Sequence, residues 1–436
     1  MKIIGIIAEY NPFHNGHAYQ IKKIKEDLKA DFVVVAMSGD FVQRGAPAIV
    51  DKYTRTKMAL SCGADLVIEL PVLWATASAE YFAMAGVTLF EKMGCVDGIC
   101  FGAESDDFET LSQIADILVE EPVDYRTTLA SYLKNGLAYP AARSKALCDY
   151  FVKVSDNDSH GISLDGLSSI LNEPNNILAI EYLKALKRRN SSITPYVIKR
   201  EGAAYHDAEI APVDSDRIPT ASATAIRKVL DAPVTTTEAD IFNMLNDAMP
   251  SSALDILKEC LAEKPLIHTN DFSSILGYKL LTSDTSNLAD IGDSNSDVSN
   301  RIFKNRMTFA SFEEFCERNK SKDITYTRMS RILLHLILDI KNSDYTFGKE
   351  SDYIPYLRIL GFRKDASSLL KELKSCSAVP VISKLADAAS QLDADALSLL
   401  DKDIFAADLY EQIRANKSGT ASISDYSQNI VLSFFH

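Results

Sequence analysis

Two histidines three residues apart, His14 and His17, flank Asn15-Gly16 where a short apolar run (residues 3–7) gives way to a helical pattern. His17, Ile21, Ile24 and Leu28 lie on one face at a 3.6-residue period, with Asn15 as the expected cap. Imidazoles at that junction can donate hydrogen bonds to phosphate oxygens as charge builds on a leaving group. The free N–H groups and positive end of the helix attract anions, and Gly16 lets a ligand lie against the backbone. Such a site suits a triphosphate.

The elements that must carry this site are legible in the first two hundred residues. Apolar runs recur at 3–7, 32–36, 66–70 and 96–101, with helical patterns at 16–29, 51–61 and 78–92 between them. That alternation predicts an α/β fold with a parallel sheet covered on both faces. Ligands in such sheets bind beyond the carboxyl ends of the strands. There stand Ser38-Gly39-Asp40-Phe41-Val42-Gln43-Arg44-Gly45 after the second strand and Phe101-Gly102-Ala103-Glu104 at the end of the fourth. Asp40 and Arg44 either bind metal-bound phosphate or a carboxylate there, or form a turn with an Asp cap and a surface arginine.

Residues 108–150 read as a helical insertion, 174–189 as a helix opened by Pro174, and 194–198 as a fifth strand. Ser222 to Lys228 opens another helix, and from about 241 onward the pattern is mainly α-helical. Residues 284–300 are polar, acidic and aperiodic, and are expected to form a flexible loop. Two domains are expected, 1–235 around the nucleotide site and a mainly helical 236–436.

The chain has 436 residues, too many for one ordinary domain, and a formal charge of −14 that argues against wholesale coating of nucleic acid. A local exception runs from Arg301 to Arg331, with eight Lys/Arg against four acids. It is either a solvated helical surface or a phosphate-binding patch that includes Arg318, Lys320, Lys322, Arg328 and Arg331. Seven scattered cysteines have no metal-ligand spacing, so reduced thiols and no metal site are expected. No apolar run reaches membrane-spanning length and no signal-peptide pattern opens the sequence, so a cytoplasmic protein is predicted.

His14-Asn15-Gly16-His17 resembles the signature of the adenylyl-transferring superfamily that includes nucleotidyltransferases and class I aminoacyl-tRNA synthetases. Ser222-Ala223-Thr224-Ala225-Ile226-Arg227 resembles the Ser-x-Thr-x-Ile-Arg block of nucleotidyltransferase domains, whose hydroxyls and N–H groups hold outer phosphates. More closely, the chain resembles the bacterial tRNA(Met) cytidine acetate ligase family. The resemblance is carried by residues 8–17, 38–45, Gly63-Ala64-Asp65-Leu66-Val67-Ile68-Glu69-Leu70-Pro71, Pro174-Asn175-Asn176-Ile177-Leu178, residues 199–207, the Ser222–Arg227 block and Thr325-Tyr326-Thr327-Arg328. Ala46 and Ala204 depart from it, where glutamate and glycine are expected.

The resemblance implies a two-step reaction. Acetate attacks the α-phosphate of ATP, giving acetyl-adenylate and pyrophosphate. The N4 amine of the wobble cytidine of elongator tRNA(Met) then takes the acetyl group. It implies ATP binding by Ile7, Ala8, Glu9, Tyr10, Asn11, Pro12, Phe13, His14, Asn15, Gly16, His17, Ala18, Tyr19 and Gln20, and by Gly102, Asn175 or its neighbour Asn176, and Arg200. His14 and His17 would be the catalytic pair, Ser222, Thr224 and Arg227 phosphate ligands, and Mg2+ the counter-ion of ATP. No membrane and no protein partner is predicted. The competing reading is a small-molecule adenylyltransferase of coenzyme-biosynthesis type, against which some two hundred residues beyond the Ser222 block argue.

Overall fold

The computed structural model describes residues 1–155, 164–200, 222–231 and 237–433. Its main sheet is built first from β1 (Ile3–Ala8), β2 (Phe32–Ser38), β5 (Leu66–Leu70), β6 (Gly98–Ala103) and β7 (Thr194–Lys199). A two-stranded hairpin, β3 (Phe41–Val42) with β4 (Ala46–Pro47), lies between β2 and β5 in the chain. Three further strands, β8 (Leu357–Arg363), β9 (Val381–Ile382) and β10 (Val431–Ser433), come from the C-terminal part. The order across the sheet is β10-β8-β5-β2-β1-β6-β7, with β9 also on β8. Pairing is parallel except between β5 and β8.

Period-two alternation decides which helices each face receives. Ile4, Ile6, Val33, Val35, Met37 and Val67 share a core with Ile21 and Ile24 of α1 (Asn15–Glu26) and with Met58 and Leu60 of α2 (Lys52–Ser61). Ile3, Val34, Ala36, Leu66 and Ile68 face the other way, together with Trp74 of the one-turn helix α3 (Val72–Ala75) and Phe82, Val87 and Phe90 of α4 (Ala79–Met93). The chain then forms α5 (Phe108–Glu120), α6 (Val123–Lys134), α7 (Tyr139–Ser155), α8 (Leu164–Asn172) and α9 (Pro174–Arg188), and α9 packs on α4 and α5. Helix α10 (Ala223–Leu230) follows β7, and the region beyond it is mainly helical, as the pattern predicts.

One expectation is corrected. The stretch 284–300 is not an irregular loop: it holds helices Thr285–Asp290 and Ser296–Asn305, N-capped by Asp284 and Asn295. The mainly helical C-terminal region also sends β8 into the sheet, antiparallel to β5. Arg358 and Arg363 of β8 are buried because carboxylates await them: Arg358 meets Glu69 at 2.9 Å, and Arg363 meets Asp65 at 3.2 Å. No helix among the described residues is long and apolar enough to cross a membrane.

Strand order turns around at β1. The chain moves from β1 through β2 to β5 on one side, then returns to β6 and β7 on the other. The carboxyl ends of β1 and β6 therefore frame the crevice where open α/β sheets bind ligands.

Candidate active site

The crevice holds a cavity of about 390 Å³ lined from β1, α1, β6, α9, α10 and the β3–β4 loop. His14, rather than the expected Asn15, is the N-cap of α1. Its Nδ1 accepts from the Gly16 N–H at 3.1 Å, while His17 Nδ1 accepts from the His14 N–H at 3.2 Å. This reciprocal box uses both Nδ1 lone pairs, so the neutral rings carry their protons on Nε2. The rings stack at 3.7 Å, and His17 also packs edge-on against Tyr10. Asn15 instead ties α1 to the later helices, Nδ2 donating to the Asp247 carbonyl at 2.8 Å.

Burial, with help from Arg200 and Arg227, pushes the His14 imidazole down to about 3. Burial, then His14 and Arg200, holds His17 well below the ordinary range. Both rings are thus neutral Nε2–H donors at neutral pH. Because the unfolded chain takes up these protons near pH 6.5 and the folded chain does not, acid favours unfolding. The ligand-free protein is expected to lose stability as pH falls below about 6.5, a decline that His14→Gln reduces in urea titrations.

Of the predicted segment, Ile7, Ala8, Glu9, Tyr10, Asn11, His14, Gly16, His17, Tyr19 and Gln20 line the cavity. Pro12, Phe13, Asn15 and Ala18 do not; Phe13 is fully buried in the core beneath α1, and the Asn11–Pro12 peptide is cis. Gly102, Arg200 and Asn175 form the far wall. A Cβ on Gly102 would lie 3.2 Å from Arg200 Cγ, so the missing side chain keeps this wall open. Asn175 is the cavity-facing member of its pair, its Nδ2 donating to Glu104. Asn176 is buried behind it, receiving the Ser105 N–H at 3.0 Å.

Ser222 caps α10 through the Ala225 N–H, and Arg227 donates to the Asn11 carbonyl at 2.6 Å and to Thr224 Oγ1 at 3.1 Å. The Ser-x-Thr-x-Ile-Arg block therefore meets the histidine turn directly. Arg44 reaches the cavity from the β3–β4 loop, but Asp40 does not. The Asp40 carboxylate turns inward to accept the Lys52 N–H at 2.7 Å and faces Arg55, where burial raises its pKa to about 7. Gln43 and Phe101, within the segments expected at the strand ends, also line the cavity, whereas sequence reasoning missed Phe82 and Tyr182. Nearness to the carboxyl ends of β2 and β6 was the signal for Gln43 and Phe101.

The basic segment is more neutralised than its composition suggests. Arg318 pairs with Glu314 at 2.8 Å, Lys320 with Glu317, and both Arg328 and Arg331 with Asp293. Arg331 is buried, which corrects the expectation of a surface contact; Lys322 is exposed. Residues 201–221, including His206, lie outside the described residues.

The sequence matches the family model described as HIGH Nucleotidyl Transferase over residues 1–424. It is 40% identical over 433 residues to the tRNA(Met) cytidine acetate ligase of Acetivibrio thermocellus, covering 99% of this chain and 100% of that one. The protein of the same name from Thermoanaerobacter sp. is 41% identical, over 96% of this chain and 97% of the relative. The crystal structure of Thermotoga maritima TmcAL bound with alpha-thio ATP matches with a TM-score of 0.88 at 28% identity, covering both chains fully. A mostly parallel sheet that turns around at β1, with paired histidines capping α1, is the architecture of a HIGH-type nucleotidyltransferase. Within that class the chain belongs to the tRNA(Met) cytidine acetate ligase family, whose members are ATP-dependent ligases.

Proposed function

We propose that this protein activates acetate as acetyl-adenylate and transfers the acetyl group to N4 of the wobble cytidine of elongator tRNA(Met) in the cytoplasm. The observation that carries the reading is the pair of neutral imidazoles, each with its Nε2–H unused by the capping box, at a helix N-terminus beside a nucleotide-sized cavity. An acetate oxygen attacks the α-phosphorus, and the bond to pyrophosphate breaks. Charge grows on the α-phosphate and the leaving oxygens, where the two Nε2–H donors and the α1 N-terminus stabilise it. Ser222, Thr224 and Arg227 meet the outer phosphates, Arg200 offers bidentate contacts to phosphate, Gly102 leaves room for the nucleoside, and Asn175 also contacts ATP. Mg2+ arrives with ATP, bound mainly by its phosphates.

Residues 1–235 carry this chemistry and 236–436 meet the tRNA, with the exposed Lys322 as a phosphate contact beside Lys320, Arg318 and Arg328, which exchange their acidic partners for RNA. Removing Lys320 and Lys322 together is expected to weaken tRNA binding and flatten its dependence on salt. An unchanged slope removes this patch from the interface. Gly102→Val is expected to raise the Kd for ATP about tenfold, the scale of an overpacking cost of ~1–3 kcal/mol. Isothermal titration reads it.

One assay tests the whole reading. Protein, ATP, radiolabelled acetate and bulk tRNA are incubated, and label in RNA is counted with each component omitted in turn. Label that requires all four supports the ligase. ATP consumption with a small acceptor and no labelled RNA overturns it in favour of a small-molecule adenylyltransferase.

A further inference from the structure

The two steps of the proposed reaction differ in their need for a base. Acetate is already ionised at neutral pH and attacks phosphorus without losing a proton. The exocyclic amine of cytosine shares its lone pair with the ring. As its nitrogen bonds to the acetyl carbon it must give up a proton, while the carbonyl–oxygen bond breaks and AMP leaves with the electron pair. A positioned proton acceptor therefore speeds the second step.

The cavity offers few candidates. His14 and His17 have committed their Nδ1 lone pairs to the Gly16 and His14 N–H groups, and their Nε2 atoms carry hydrogen. Arg44, Lys199, Arg200 and Arg227 are cations, and burial keeps the Tyr10 and Tyr182 phenols protonated. Among the described residues, one carboxylate lines the cavity, that of Glu9 at the end of β1.

Glu9 is also held in place. Its Oε1 accepts the Gln43 N–H at 3.0 Å, and its backbone carbonyl receives Arg55 Nη1 at 2.7 Å. Arg55 is fully buried and also donates to the carbonyls of Ser38, Gly39 and Val50, so one guanidinium joins the ends of β1 and β2. No donor among the described residues meets Glu9 Oε2. Arg227 of α10 is the cation coupled to the Glu9 carboxylate and offsets its charge, while Glu9 helps keep the Tyr182 phenol of α9 neutral.

We propose that Glu9 is the general base of acetyl transfer, its Oε2 taking the amine proton as the nitrogen–carbon bond forms; this rests on the two-step reading above. Glu9→Gln keeps an oxygen for the Gln43 N–H but cannot take a proton at that pH. Two rates are compared in full-length protein: acetate-dependent ATP–pyrophosphate exchange, and single-turnover movement of labelled acetyl into tRNA(Met) from acyl-adenylate formed on the enzyme. In Glu9→Gln, transfer is expected to fall about 100-fold or more, and at least about tenfold further than exchange. Glu9→Asp, which retains a carboxylate, should keep at least about tenfold more transfer than Glu9→Gln. Equal losses in exchange and transfer, or equal transfer in the two variants, overturn the assignment while leaving the ligase reading intact. Wild-type protein lacking acetate-dependent exchange overturns the two-step reading, and the role of Glu9 with it.

Discussion

His17→Ala lowers acetate-dependent ATP–pyrophosphate exchange by about two orders of magnitude or more, the cost of deleting one preorganised donor to developing charge. The expectation follows from how the ring is held. Its Nδ1 is occupied by the His14 N–H and the ring is packed against Tyr10 and His14, which leaves Nε2–H as the donor His17 can offer to a ligand in the cavity it lines. Loss of the cap alone costs about 1 kcal/mol of stability and should leave the protein folded. Urea unfolding separates that structural cost from the kinetic one. His14→Ala should act similarly, and the double variant should lose little more than either alone, because groups that act together on one charge are not additive. Exchange in His17→Ala within about threefold of wild type would remove the imidazole from the reaction.

Much of this site can be read from the chain because its parts are local. A strand, a tight turn and a helix N-terminus follow one another within residues 3–26, and each leaves its own period or residue preference. The same holds for Ser222, which caps the helix it precedes. What escaped depends on partners far away in sequence. Leu357–Arg363 contains two arginines and a glycine, and becomes a central strand only because Asp65 and Glu69, some three hundred residues earlier, neutralise the arginines. Residues 284–300 escaped for the opposite reason. Helices of six and ten residues are too short to show a periodicity above their polar caps, and Asp293 between them is fixed by Arg328 and Arg331 from another helix. Asp40 shows the limit of reasoning from strand ends. The position is right for the crevice, yet the backbone N–H of Lys52 and the Arg55 guanidinium turn its carboxylate inward.

The polar tail beyond Lys417 has a structural role that its composition conceals, and Asp425→Ala is expected to cost about 3–5 kcal/mol of folding stability. Asp425 closes a buried, charge-balanced ring. Lys52 lies 2.9 Å from Glu69 and 3.1 Å from Asp425, and Arg358 lies 2.9 Å from Glu69 and 2.8 Å from Asp425. The Tyr53 hydroxyl adds a bond to Asp425 at 2.7 Å, and all four charged side chains are at most 4% exposed. Without Asp425, two buried cations share one carboxylate. Removing Lys52 as well (Lys52→Met) restores neutrality around Arg358 and Glu69, so the double variant should be more stable than additivity predicts by over about 1 kcal/mol. Burial alone would raise the Asp425 pKa, but Lys52 and Arg358 overrule it and hold the carboxyl below its usual value. Its contribution is therefore complete above the unfolded-chain value near 4 and is lost as pH falls through the lower folded value. Urea midpoints of Asp425→Ala and wild type should stay separated from pH 6 to 8 and converge below about pH 4. A separation under about 1 kcal/mol at neutral pH would mean that the tail merely rests on the sheet, with water rather than Asp425 neutralising Lys52 and Arg358.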